Sequence, residues 1–260
     1  MYIGVLGTGG MLGKAVVEAC IEKGMVCHGY DREQIDICDA NLIVTLNADV
    51  VINCAGVIDK ANTLGMVKTN ALGPHVLATW FSGPIIHVST DCVFSGIYDD
   101  PYPVHFNPDP VDLYGRTKLV GEVKADHVLN VRTSFIGFDH GFLRWLIDNR
   151  NGQIEGWANA MWSGSTVYAV ARGLVDMAVN FKNGGIAHLA TLKGVDKCML
   201  AFGLGNLLDL HLSITRSMMP VIDRTLEPTH ILPDVSEVSD ELRSKFVAAG
   251  LHERHVNVGN

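Results

Sequence analysis

The sequence predicts an α/β protein built on a doubly wound, mainly parallel sheet. Three observations predict it. Short apolar runs alternate with longer stretches of helical spacing through the first half of the chain. A cluster of glycines joins the first run to the first helix, and an acidic residue ends the second run. The 260 residues allow one large domain, or one core with a smaller appended lobe.

The elements follow in order. Tyr2–Leu6 is apolar and short, as expected of a buried strand, and Met11–Lys23 has helical spacing. Met25–Tyr30 and Val50–Cys54 are the next strands, and a helix is expected over Val67–Trp80. Pro84–Ser89 is a fourth strand, followed by a loop rich in Pro and Asp from Asp91 to Pro110. Leu113–Ala125 is predicted helical and Val128–Arg132 extended. Parallel strands need crossovers, and those crossovers are right-handed. Residues 1–135 are thus expected to form the sheet domain. Residues 136–260 are expected to form a smaller substrate lobe, with helices over Phe142–Asn149 and Val167–Val179 and a strand near 185–190 returning to the sheet. Beyond Asp196 the pattern is weak.

Composition excludes several functions. With 48% hydrophobic and 18% charged residues the chain can bury a core, so disorder is excluded. A net charge of -8 gives no basic field for nucleic acid or an anionic membrane, and no apolar stretch is long enough to span a bilayer. The six cysteines form no CxxC pair and read as reduced core residues, which together with the absence of a signal-peptide pattern predicts a cytoplasmic protein. The eleven histidines show no HExxH or paired metal spacing, so no metal is expected.

Chemistry enters at Gly7-Thr-Gly9-Gly10-Met11-Leu12-Gly13, between the first strand and the first helix. Backbone N–H groups at a helix N-terminus can meet a pyrophosphate only where side chains are missing, so this GxxGxxG loop predicts a Rossmann-like dinucleotide site. Asp31 ends the second strand and can accept from the ribose hydroxyls of NAD. Arg32 beside it can meet the 2′-phosphate of NADP, so both cofactors stay open. Asp36 and Ile37 are placed near the adenine, and the small run Cys54-Ala55-Gly56 lets the cofactor pass close to a strand end.

Tyr114 and Lys118 stand one helical turn apart and share a face. An ammonium there is expected to lower the tyrosine pKa toward the working range. Thr90 closes the preceding core strand, where a hydroxyl can steady a carbonyl oxygen as it gains charge. Strand alternation turns Ser89 to the opposite face from Thr90. Arg144, Arg150 and Arg172 are diphosphate candidates that read more simply as helix-surface residues, and Trp145, Trp157 and Trp162 read first as core aromatics.

Val88-Ser-Thr-Asp-Cys-Val-Phe-Ser-Gly96 followed by Tyr114-Gly-Arg-Thr-Lys-Leu-Val-Gly-Glu122 resembles the dTDP-4-dehydrorhamnose reductase family of extended short-chain dehydrogenases. The glycine loop, Asp31-Arg32, Asp36–Asp39, Val51–Gly56, Asn70 and Arg132-Thr133-Ser134 match it in order, so the resemblance covers residues 1–135. It implies reduction, by NADPH or NADH, of the 4-keto group of a nucleotide-linked deoxysugar, with Tyr114 as proton donor, Lys118 as its partner and Thr90 orienting the carbonyl. The expected cofactor contacts also include Asn70, Ser89 and Thr133, and the expected substrate contacts are Asp91, Val93, Phe94, Ser134 and Trp162. The expected partners are a nucleotide sugar and a second copy in a homodimer, with no nucleic acid and no membrane. The chain departs from the family where Val104 and Phe106 replace acidic residues, and in Asp223-Arg-Thr-Leu-Glu-Pro228, the nearest counterpart of an Arg-Pro substrate motif. Two other readings remain: an NAD-dependent sugar-nucleotide epimerase, and a non-catalytic NADP-binding regulatory subunit of the same family. A 4,6-dehydratase would need Asp-Glu after the threonine, and here Cys92 follows Asp91.

Overall fold

The computed structural model describes residues 1–252. The first half alternates strands and helices: β1 (Tyr2–Leu6), α1 (Met11–Glu22), β2 (Val26–Tyr30), α2 (Ala40–Ile43), β3 (Val50–Asn53), α3 (Thr63–Met66), α4 (Gly73–Trp80), β4 (Ile85–Thr90), α5 (Leu113–Val120) and β5 (Val128–Thr133). The second half adds β6 (Phe135–Ile136), α6 (Gly141–Asp148), β7 (Gln153–Trp157), β8 (Ala160–Trp162), β9 (Ser165–Thr166), α7 (Val167–Val179), β10 (Gly185–Thr191) and β11 (Val195–Asp196). It closes with α8 (Lys197–Leu207), β12 (Ser213–Ser217), β13 (Ile222–Asp223), β14 (His230–Leu232) and α9 (Ser239–Ala248).

The main sheet has seven strands in the order β14-β10-β5-β4-β3-β1-β2, and every pair in it is parallel. The apolar runs are buried because helices cover both faces. One face packs against α1 and α7 through Val16, Val170, Leu174 and their neighbours, and the other against α2, α4 and the loops around them through Ile37, Ile43 and Leu77. Strand order reverses between β1 and β3. In a doubly wound sheet that switch point, at the carboxyl edge, leaves a crevice for a ligand.

The second body is built on its own core of Leu143, Leu146, Trp162, Leu204 and Phe246. It joins α6, α8 and α9 to two small sheets, β7–β12 and β11–β8–β13. It is not the continuous 136–260 segment of the sequence reading. Besides β10, both α7 and β14 return to the main sheet. No helix among the described residues is long and apolar enough to cross a membrane.

Two helices depart from their predicted spans. The single helix expected over 67–80 contains a π-helical turn, Val67–Leu72, between α3 and α4. Pro74 lacks the N–H that would bond the carbonyl of Asn70, so regular α-geometry breaks there. The freed carbonyl lies against Gly121, where any Cβ would overlap it. Gly121 caps α5, which stops at Val120 rather than Ala125.

Candidate active site

The glycine loop lies at the switch point. Gly7 has φ +82, a left-handed conformation that suits glycine, and a Cβ there would sit 2.7 Å from the Ala55 amide nitrogen. A Cβ on Gly13 would strike the Gly7 carbonyl, whereas one on Gly9 would meet nothing within 4 Å. Gly7 and Gly13 thus close the turn, and Gly9 leaves bare backbone facing a cleft of about 230 Å³. Met11 and Leu12 point their side chains into the core, so only their backbone can meet a ligand. This is the cradle that a dinucleotide diphosphate requires, and the residues present fit it.

Arg32, Asp36, Ile37, Cys54, Ala55 and Gly56 form the remaining walls, as the sequence reading expects of them. Ile35, Val57 and Thr69 also line the cleft and were not foreseen; their neighbours in the motifs were the only signal. Asp31 is not on the wall. Its carboxylate accepts the N–H groups of Glu33 and Gln34 at 2.9 and 3.0 Å and so fixes its own turn. Arg32 stands in its place, with Nε 3.7 Å from Asp36. Asn70 is fully buried: it accepts the Val57 N–H at 2.7 Å and donates to the Val57 carbonyl at 2.8 Å. It orders the loop after β3 through these two bonds.

Helix α5 starts at Asp112, whose side chain accepts the Gly115 N–H at 2.7 Å. That cap places Tyr114 in the first turn, beside Thr90 and Cys92 at the end of β4. Lys118, one turn on, is 4% exposed and donates to the Val88 carbonyl at 2.6 Å. Burial pulls its pKa down to about 8, while Glu122 and Cys54 help to hold its charge. The expected depression of the Tyr114 pKa is corrected. Burial pushes the phenol up, the charges of Cys92 and Asp91 add to this, and Thr90 opposes it. The lysine ammonium is turned to the Val88 carbonyl. Thr90 donates to Asp91 at 3.1 Å and accepts the Cys92 N–H at 3.1 Å. Its hydroxyl is thereby held at the strand end.

Several expected contacts lie elsewhere. Ser89 donates to Glu122 at 2.7 Å, and Glu122 pairs with the buried Arg132, so its hydroxyl faces that ion pair. Thr133 spends its hydroxyl on the Leu189 carbonyl at 2.8 Å. Val93 and Phe94 are fully buried, and Phe94 stacks on Tyr102 with Arg132 over its face, which places both side chains in the core. Asp91 is buried beside Thr90. Ser134 accepts the Trp162 indole N–H at 2.8 Å, and Trp162 borders a second cavity of about 600 Å³ in the lobe, together with Lys193, Met199 and Asp234. Arg224, from the blurred motif, reaches the Cys92 sulfur at 3.3 Å, an approach that spacing alone did not reveal. Arg144, Arg150 and Arg172 are held by Asp148, the Leu251 carbonyl and Glu241.

A sequence profile of the RmlD substrate binding domain matches residues 1–145, more than half of the chain. A dTDP-4-dehydrorhamnose reductase of Mycolicibacterium smegmatis is 38% identical over 128 residues, covering 45% of this chain and 39% of that protein. A probable low-salt glycan biosynthesis reductase of Haloferax volcanii is 35% identical over 161 residues, 52% of this chain and 54% of that protein. The chain thus spans about half the length of these curated relatives or less. Among solved structures, a dTDP-4-dehydrorhamnose reductase of Bacillus anthracis in complex with NADP superposes with a TM-score of 0.83 at 17% identity, covering 94% of this chain and 99% of that one. That likeness establishes the fold.

Proposed function

The chain belongs to the family of the RmlD substrate binding domain, and on that premise we propose that it is an NAD(P)H-dependent reductase of the 4-keto group of a nucleotide-linked deoxysugar. The observation that carries this reading is that one carboxyl edge of the sheet holds both a side-chain-free glycine cradle, after β1, and the Thr90 hydroxyl with Tyr114 beside it, at the end of β4. When bound, the reduced nicotinamide supplies the hydride. The Thr90 O–H turns from Asp91 to the carbonyl oxygen of the sugar and orients it, and Tyr114 transfers its Oη proton to that oxygen as it becomes an alkoxide. The ketone carbon gains one hydrogen and the oxygen one proton; the Tyr114 phenolate then takes a proton from solvent. Lys118 holds the strand that presents Thr90 and carries positive charge at the back of the cleft, next to Cys54.

Between the two cofactors, the placement of Arg32 on the wall and the commitment of Asp31 to its own turn support NADPH. A carboxylate free to face the ribose would support NADH. Six free cysteines, among them the buried Cys20 and Cys198, support a reducing, cytoplasmic setting. The test is NADPH oxidation, followed by absorbance, with dTDP-, UDP- and GDP-linked 4-keto-6-deoxy sugars. Turnover with at least one is expected. Tight NADPH binding with no turnover of any would favour the regulatory-subunit reading.

A further inference from the structure

We propose that His87 is a positioning residue for the dinucleotide cleft, holding its far wall through Asn53 and the Ala55 amide. The proposal rests on the cleft being the cofactor site.

His87 and Asn53 are register partners on β4 and β3, and both are buried. The carbonyl oxygen of the Asn53 side chain accepts the Ala55 N–H at 3.1 Å. That bond fixes which end of the amide faces the imidazole: Nδ2, 2.9 Å from His87 Nδ1. An amide nitrogen can only donate, so Nδ1 must accept. His87 is therefore neutral, with its proton on Nε2. Burial acts the same way, as do the positive charges of Lys118 and His75, which all disfavour the imidazolium.

The Nε2 proton has no partner among the described residues. An unpaired buried donor is a cost that a leucine at this position would avoid. Packing therefore does not explain a histidine here, whereas the acceptor at Nδ1 does. Asn130, the register partner of His87 on β5, is fixed in the same manner by donation to the Val123 and Gly185 carbonyls, and its Oδ1 is also without a partner.

The consequence reaches the cleft through one atom. The Ala55 amide nitrogen is the nearest atom to where a Gly7 Cβ would lie, so Ala55 and the first glycine are packed backbone to backbone. Both line the cleft. A shift of Ala55 changes the width of the groove at the diphosphate turn.

Imidazole nitrogen NMR on the intact protein tests the tautomer directly. Nδ1 unprotonated and Nε2 protonated at neutral pH is expected; an Nδ1–H tautomer or an imidazolium overturns the proposal. Two variants test the positioning. His87→Asn keeps an acceptor for Asn53, and His87→Leu removes it. In His87→Leu, the NADPH Kd should rise about tenfold, Ala55 amide exchange should quicken, and the change should fall on KM for NADPH rather than on kcat. His87→Asn should stay within about threefold of the native Kd. Native Kd and native Ala55 protection in His87→Leu, or equal losses in both variants, would overturn it. Should His87→Leu fail to fold, the tautomer and the Ala55 exchange of His87→Asn, expected native-like, still decide the matter. Failure of the native protein to bind NADPH would overturn the cofactor reading and this proposal with it, a result distinct from native NADPH binding with an unchanged Kd in His87→Leu, which would overturn this proposal alone.

Discussion

Lys118 donates its ammonium to the carbonyl of Val88, 2.6 Å away, and so ties the helix that carries Tyr114 to the strand that ends in Thr90. The lysine is buried and shares its surroundings with Cys54 on the cleft wall. One side chain thus joins β4, α5 and the wall of the glycine cleft. Burial, rather than the lysine, sets the direction of the Tyr114 pKa, which is upward.

Replacing Tyr114 by Phe removes the proton donor and leaves the ring. Reduction should fall by about a hundredfold to ten-thousandfold, and the NADPH Kd should stay within about twofold. Steady-state rates and a fluorescence titration measure the two quantities. A native rate would exclude Tyr114 as the acid.

The two glycines that differ most in their surroundings make a matched test. A Cβ at Gly13 would overlap the Gly7 carbonyl, so Gly13→Ala should lower Tm and destroy the turn. At Gly9 nothing stands within 4 Å, so Gly9→Ala should keep its Tm while NADPH binding weakens at least about tenfold, because the methyl enters the diphosphate space. Calorimetry and a binding titration separate the two. Unchanged NADPH affinity in Gly9→Ala would place the diphosphate elsewhere.

Arg32 is a cation on the wall of the glycine cleft, and the proposal sets it at the ribose 2′-position of the cofactor. Arg32→Ala should raise the NADPH Kd about tenfold or more and leave that for NADH within about twofold, since only the former carries the 2′-phosphate. Equal losses for both cofactors would remove Arg32 from this role.

His188 is fully buried next to Arg132, and burial with that charge holds its pKa down at about 4. The unfolded chain takes up this proton near pH 6.5, so between about 6.5 and 4 it binds more protons than the native state. Stability therefore falls as pH drops through that window, by about 3 kcal/mol in all from this group, and the contribution is intact above it. His188→Gln should flatten the slope, which urea melts at several pH values would measure. Parallel curves for the two proteins would contradict it.

Much of the sheet domain was legible because its strands are buried on both faces and read as unbroken apolar runs: Tyr2–Leu6 was located to the residue. So was α7, whose apolar stripe packs on the sheet. The cleft was legible at its glycines, where steric need leaves one residue type. Proximity in sequence misled elsewhere. Phe94 and Val93 follow Thr90 closely, but the 3₁₀ turn Asp91–Val93 carries them into the core. Ser89 and Thr133 have the right chemistry and face a buried ion pair and a neighbouring strand. The edge strand β14 was missed because three residues, two of them exposed, carry no periodic signal. Nor could spacing alone have paired Arg224 with Cys92, 132 positions apart.

The central claim is that hydride passes to a sugar ketone while Tyr114 supplies the proton. Its most direct test uses NADPH deuterated at the transferring position of C4, with a dTDP-linked 4-keto-6-deoxy sugar, followed by mass spectrometry of the product. One deuterium on the sugar carbon, at a rate that collapses in Tyr114→Phe, is the predicted result. A sugar product without deuterium, or with NADPH left unoxidised, would contradict it.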